Sequence, residues 1–296
     1  MSKMMIKGAA GVLLLLASIN AGDVEVWGQW ETTWTVQAAV SNPFVDVELF
    51  LELTPPVSSA AHQPVIVRGF YDGDGQYKAR FMPPTAGEWN YVTRCNVEEL
   101  DGQRGTFTAH APEVGTGRGA NHGPVVAKPG QTKFAYADGT PFLSVATTVY
   151  GMFLNAQQSL QTLKTSPFNK VRTLLTATNQ TVYAQLQGNA SLVDPTRFNP
   201  SFFRDVEGTL GAMRDIGVEA ELILFMNGLP FPASQGCLGG PDVSTYNTTL
   251  DELYIKYVVA RFASFRNVWW SMANEWNQYK CKWAGATRPS PCPGYL

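Results

Sequence analysis

Residues 197–225 read RFNPSFFRDVEGTLGAMRDIGVEAELILF. Asn199 and Pro200 mark a helix start, because Asn accepts an orphan N–H of the first turn and proline has no N–H to lose there. Phe203, Val206, Leu210 and Met213 then recur at helical spacing and form one apolar stripe. Gly217 stops the helix, and Val218 to Phe225 is an apolar run of strand length.

The same alternation continues on both sides. FLSVATT (142–148) is a predicted strand, Gln157 to Thr165 a short helix and Lys170 to Leu175 a second strand. Downstream, Thr249-x-x-Glu252 reads as a capping box. It opens a helix whose Leu250, Leu253, Tyr254, Tyr257, Val258, Phe262 and Phe265 face inward. Val268 to Ala273 is the fourth strand. Strand–helix alternation with right-handed crossovers predicts a parallel α/β sheet, with a (β/α)8 barrel of the TIM type as the leading case.

Upstream the period changes to two. Val45, Val47, Leu49, Leu51 and Leu53 alternate with Asp46, Glu48, Phe50 and Glu52, as in a strand with one buried face. VIVRGFY (65–71) and QYKARF (76–81) read as a strand pair joined at Asp72-Gly73-Asp74-Gly75. GEWNYVTRC, with Trp89 and Tyr91 on one face, and GTFTAHAP complete the set. Short strands with Gly/Pro turns predict an immunoglobulin-like β-sandwich. EVGTGRGANHGP, with four glycines and no apolar period, reads as a linker. At the amino end Lys3 and Lys7, the apolar Gly8 to Ile19 and a small Ala21 have the form of a signal peptide. The predicted organisation is therefore 1–22 signal peptide, 23–112 β-sandwich, 113–124 linker and 125–296 partial barrel of about strands 1–4.

A hydrophobic fraction of 45% and a charged fraction of 16% are those of a folded protein. A net charge of −2 offers no basic field for nucleic acid or an anionic membrane. Aromatics at 12%, with eight Trp, suit a sugar-binding protein as well as a packed core. Asn179, Asn189 and Asn247 stand in glycosylation triplets, compatible with a secreted, extracellular glycoprotein. Cys95, Cys237, Cys281 and Cys292 allow two disulfides in three connectivities. His62, His110 and His122 all precede residue 125, so the second half offers no histidine for a triad or metal. No cofactor is implied.

Barrel enzymes place their chemistry just past the strands. The fourth strand runs into Asn274-Glu275-Trp276, which makes Glu275 a candidate general acid/base and Asn274 a residue that could orient a sugar hydroxyl. Glu275 could equally serve the dipole of a following helix. YADGTPFLSVATTVY, SPFNKVRTLL, RFNPSFFRDVE, GVEAELILF and YVVARFASFRNVWWSMANEW, with the upstream WGQWETTW and NPFVDVELFLEL, resemble the apiosidase-like family of glycoside hydrolases in collinear order. The resemblance implies retaining hydrolysis, with Glu275 as acid/base and Asn274 beside it. It also implies a place for Arg172 near the floor of the site, although Arg172 as a buried ion-pair partner remains equally open. Tyr150 and Trp276 are the candidate substrate-binding aromatics, Tyr150 with core packing as its alternative.

The chain departs from that family in several loops. TTVYGMFLNAQQ carries Phe153 and Asn155 where relatives have a Trp and a His-Gln pair, and Phe225-Met226-Asn227-Gly228 replaces a His-Pro-Tyr-Asp run. Retaining hydrolysis needs two carboxyl groups about 5–5.5 Å apart. Only 21 residues follow Glu275, whereas four more strand–helix units need on the order of 170. Glu219 and Glu221 lie at the start of the third strand, away from the site. Asp194 and Asp242 lie in strand-to-helix loops that could approach it, though nothing singles them out. Asp205, Glu207, Asp215, Asp251 and Glu252 read as solvated helix faces. The expectation is a glycoside-hydrolase-like fragment that binds carbohydrate without turnover, its open half barrel prone to self-association. The alternatives are a non-catalytic carbohydrate-binding or adhesion protein working through the sandwich, and a sandwich that serves only as a spacer.

Overall fold

The computed structural model describes residues 22–37, 39–57, 59, 63–113, 115–130, 132–175, 182–186, 189–226, 248–274, 282–283 and 286–287. The amino-terminal strands are β1 (Val24–Glu25), β2 (Trp30–Thr35), β3 (Leu49–Thr54), β4 (Val65–Arg68), β5 (Phe70–Gly73), β6 (Gln76–Phe81), β7 (Gly87–Cys95) and β8 (Arg104–His110). They make a five-stranded sheet in the order β1-β8-β7-β3-β4 and a three-stranded sheet in the order β2-β6-β5. The apolar alternation read from sequence puts Leu49, Leu51 and Leu53 into the space between the sheets, while Val45 is exposed. There Trp30 stacks on Phe107 at 4.2 Å and Phe81 meets Trp89 at 4.9 Å, so large rings from both sheets form one core.

VIVRGFY is not one strand. It divides at Gly69, with β4 pairing to β3 in the larger sheet and β5 to β6 in the smaller. Glycine is required at this corner because a Cβ would stand 2.6 Å from Leu49 Cδ2. The predicted Asp-Gly-Asp-Gly turn is present, with Gly73, Asp74 and Gly75 all at positive φ.

Three short strands follow: β9 (Val125–Ala127), β10 (Phe134–Tyr136) and β11 (Pro141–Phe142), antiparallel in the order β11-β10-β9. The run FLSVATT therefore contributes Phe142 to this sheet and only β12 (Ala146–Thr148) to the parallel one. Next come α1 (Ala156–Thr165), β13 (Lys170–Leu174), β14 (Tyr183–Leu186), β15 (Asn189–Phe198), α2 (Pro200–Asp215), β16 (Glu219–Met226), α3 (Thr248–Phe262), β17 (Val268–Asn274), β18 (Lys282–Trp283) and β19 (Ala286–Thr287). Strands β12-β13-β16-β17 lie in that order and all run parallel, an arrangement that fits the first four strands of a barrel.

The stretch from Arg197 to Phe225 behaves as its residues dictate. Asn199 Oδ1 accepts from Phe202 N at the start of α2, and Phe203, Val206, Leu210 and Met213 are buried against the parallel sheet. Gly217 ends the turn at φ 68°. Helix α3 begins at Thr248, so Thr249 already lies inside its first turn rather than capping it. The β14–β15 hairpin seats Tyr183 and Phe198 face to face at 5.4 Å.

The three-stranded sheet is buried on both faces. Tyr77 and Ala79 face the sandwich core, whereas Phe70, Asp72, Lys78 and Arg80 face α2 and α3. Arg80 binds Glu31 and Glu207, each at 2.6 Å, and Arg261 binds Glu207 at 2.6 Å and Asp72 at 2.8 Å. Aromatic rings surround this seam: Tyr257 stacks on Phe198 at 4.1 Å, and Phe44 touches Tyr71, Phe198 and Tyr257. Burial alone raises a carboxyl pKa, but Arg261 and Lys78 hold Asp72 below the usual range, and Arg80 and Arg261 do the same for Glu207. Glu207 is thus not on a solvated helix face. A strand of the other sheet system supplies its partner.

Cys95 is a free thiol at the end of β7, so a pairing that uses all four cysteines is not realised. Cys237, Cys281, Cys292, Asn179 and Asn247 lie outside the described residues. No helix among the described residues is long and apolar enough to cross a membrane.

Candidate active site

The carboxyl ends of β12, β13, β16 and β17 share one edge because the four strands are parallel. Register aligns Thr148 with Arg172, Arg172 with Glu221 and Glu221 with Trp269. Arg172 projects from β13 and reaches across the sheet. Its Nε donates to Glu221 Oε1 at 3.2 Å, and its Nη1 donates to Asn274 Oδ1 at 3.1 Å. Lys170 Nζ holds the other Glu221 oxygen, and its ammonium lies 4.3 Å from the Trp269 ring centroid. Arg172 is therefore an ion-pair partner and a contact of Asn274 at once.

Asn274 is the last residue of β17 and is buried. Its Oδ1 accepts from Arg172, and among the described residues its amide N–H groups donate to no partner. Glu275 and Trp276 follow directly and lie outside the described residues, as does Asp242. Tyr150, just past β12, is 45% exposed. Asp194 sits on β15 and is used locally, accepting from Thr196 N and Thr196 Oγ1.

Two buried carboxyls escape a reading of this half from sequence. Glu219 accepts from Trp269 Nε1 at 2.8 Å, and burial pushes it up to about 7. Asp251, on α3, is buried with neither oxygen in a hydrogen bond among the described residues, and burial pushes it up to about 7 as well. An acid beside Tyr254 at helical spacing is the available signal for Asp251, since Tyr254 and its neighbours form the buried face.

Residues 128–288 match the family model described as apiosidase-like, catalytic domain, and residues 23–96 match a domain of unknown function, DUF5060. Among solved structures, the chain is similar to a protein of Bacteroides vulgatus ATCC 8482 provisionally described as a glycoside hydrolase. The two are 33% identical, the match covers 86% of this chain and 50% of that one, and the TM-score is 0.70. The chain thus spans half the length of that relative. A glycoside hydrolase family 5 structure from the same organism is 14% identical over 52% of this chain and 33% of that one, with a TM-score of 0.40. Among curated proteins nothing matches. The catalytic-domain model alone takes in more than half of the 296 residues, and the chain belongs to the apiosidase-like family.

Proposed function

We propose that this chain is a carbohydrate-active protein whose glycan site lies at the carboxyl ends of β12, β13, β16 and β17. The observation that carries the reading is the Arg172–Asn274 hydrogen bond, 3.1 Å long, immediately before Glu275. Arg172 fixes the Asn274 amide so that its N–H groups are presented as donors, and a sugar hydroxyl is a matching acceptor. Glu275, by its place after the fourth strand, is the acid/base, and Tyr150 and Trp276 supply ring faces for the sugar.

Among the described residues no carboxyl group stands at those strand ends, and Glu221, nearer the start of β16, is held by Lys170 and Arg172. These residues supply the sugar-holding side of the site, and we expect the chain to bind carbohydrate. The rest of the reading follows from sequence. Residues 1–22 direct secretion, 23–112 form an immunoglobulin-like sandwich, 113–124 connect it, and 125–296 are the opening part of a barrel. The sandwich positions the barrel rather than binding glycan itself.

Titration of a panel of plant and microbial oligosaccharides into the 296-residue chain tests this. Asn274→Ala should weaken the best ligand by up to about tenfold, the worth of one hydrogen bond. Glu275→Gln should leave binding measurable. Equal affinity in the wild type and in Asn274→Ala and Arg172→Met variants would move the site elsewhere, with the sandwich as the first candidate.

A further inference from the structure

A cavity of about 310 Å³ opens at the opposite end of the same strands. Its walls include Arg118 from the 113–124 segment, Arg214 from the last turn of α2, Glu219 from the start of β16, and Arg266 and Asn267 from the turn before β17. With seven residues in β17, it lies roughly 20 Å from Asn274.

The arginines are held by groups that leave their charge intact. Arg118 donates to the carbonyls of Ser166 at 3.1 Å and Phe168 at 2.6 Å, and Arg266 Nη2 donates to the Gly119 carbonyl at 3.0 Å. Among the described residues no carboxylate oxygen lies within 4.0 Å of either guanidinium. Arg214 is different, paired with its neighbour Asp215 at 2.8 Å. Burial depresses Arg266, and the proximity of Arg214 adds to this against the opposing pull of Asp215, Glu25 and Glu219. Besides Asp215, three acids stand nearby, and each is already engaged. Glu219 takes the Trp269 N–H and is only partly ionised at neutral pH. Glu25 accepts from Asn121 and from Glu113 N, and Asp138 is bound to His122. Asn267 completes the lining. Its Nδ2 serves two carbonyls, and its buried Oδ1 has no partner among the described residues.

We propose that this cavity is a binding site for a small oxyanion that also carries a hydroxyl, either free hydrogenphosphate or the carboxylate end of a sugar acid. The N–H groups of Arg118 and Arg266 that no carbonyl uses, with Arg214 beside them, are the donors. Guanidinium forks match phosphate and carboxylate oxygens in geometry as well as charge. The hydroxyl answers the acceptor Glu219. Such a ligand ties the 113–124 segment to the base of the parallel sheet, and this reading does not depend on the glycan site.

The test titrates sodium phosphate, glucuronate and glucose into the full chain at constant ionic strength, by calorimetry and by thermal melting. Phosphate or glucuronate should bind and raise the melting temperature where chloride does not. A preference between the two identifies the source of the oxyanion. Arg266→Gln should weaken binding about tenfold or more. Gly117→Glu adds a negative charge to the lining where a Cβ meets nothing within 4 Å, and it should weaken binding similarly without disturbing the fold. Three results would overturn the proposal: no response beyond that to chloride, glucose binding as well as glucuronate, or Gly117→Glu with unchanged affinity and a normal melt.

Discussion

Arg80, on β6, and Glu207, on α2, meet in a two-pronged ion pair. Nη1 lies 2.6 Å from Oε1 and Nη2 lies 3.1 Å from Oε2. The pair joins the sheet of the sandwich to a helix of the α/β part, with Arg261 of α3 on the same Glu207 oxygen. Such a cluster is worth little relative to well-packed apolar residues, yet removing one member leaves its partners charged and buried.

Arg261→Met is therefore expected to cost about 3 kcal/mol, because it removes a fully buried cation and leaves Asp72 to Lys78 and Arg204 and Glu207 to Arg80 alone. Arg94→Ala breaks the exposed Arg94–Glu52 pair and should change stability by less than about 1 kcal/mol. Urea denaturation of the two variants beside the parent measures both. Similar midpoints would mean that the seam contributes no more than a surface pair.

Gly69→Ala should destabilise the chain by about 1–3 kcal/mol. The added methyl group meets Leu49 Cδ2 at 2.6 Å and the Lys78 carbonyl at 3.1 Å. Gly102→Ala, where nothing lies within 4 Å but φ is +69°, separates backbone strain from crowding, with an expected cost of about 1 kcal/mol. Thermal melts rank the two, and Gly69→Ala should be the lower.

Stability should pass through a maximum in mildly acidic solution. Glu219 and Asp251 have folded-state pKa values pushed up to about 7, so the folded chain keeps protons that the unfolded chain has already released. Stability then falls as pH rises from the ordinary carboxylate range to about 7. The loss is a few kcal/mol at most, since each tenfold difference in proton affinity between the folded and unfolded chain is worth about 1.4 kcal/mol. Asp72 and Glu207 act oppositely, since their pKa values are lowered. Their contribution is present above the ordinary range and is lost as pH falls through the folded values. Glu219→Gln and Asp251→Asn should each flatten the alkaline limb in denaturation curves run from pH 5 to pH 8. An unchanged limb in both variants would show that neither carboxyl is buried protonated.

The sequence is most informative where signals are local. Asn199, Pro200 and Gly217 bound α2 through caps and backbone conformation alone, and the period-two pattern of Leu49, Leu51 and Leu53 locates a buried sheet face. What escapes depends on distant partners. Glu207 reads as a solvated helix residue until Arg80, 127 positions earlier, is brought against it. Asp251 is likewise hidden within a helix whose apolar face is otherwise legible. At the site, Arg172 and Asn274 both stand out in the sequence, but their contact spans 102 positions and belongs to the sheet register.

Gly69 also bears on how the chain folds. β4 and β5 are separated by that single residue, yet each is hydrogen-bonded into a different sheet. Neither sheet can acquire its edge strand without placing the first residues of the other. The two layers should therefore condense in one kinetic step, giving a single refolding phase through which pairing propagates from the 65–81 segment.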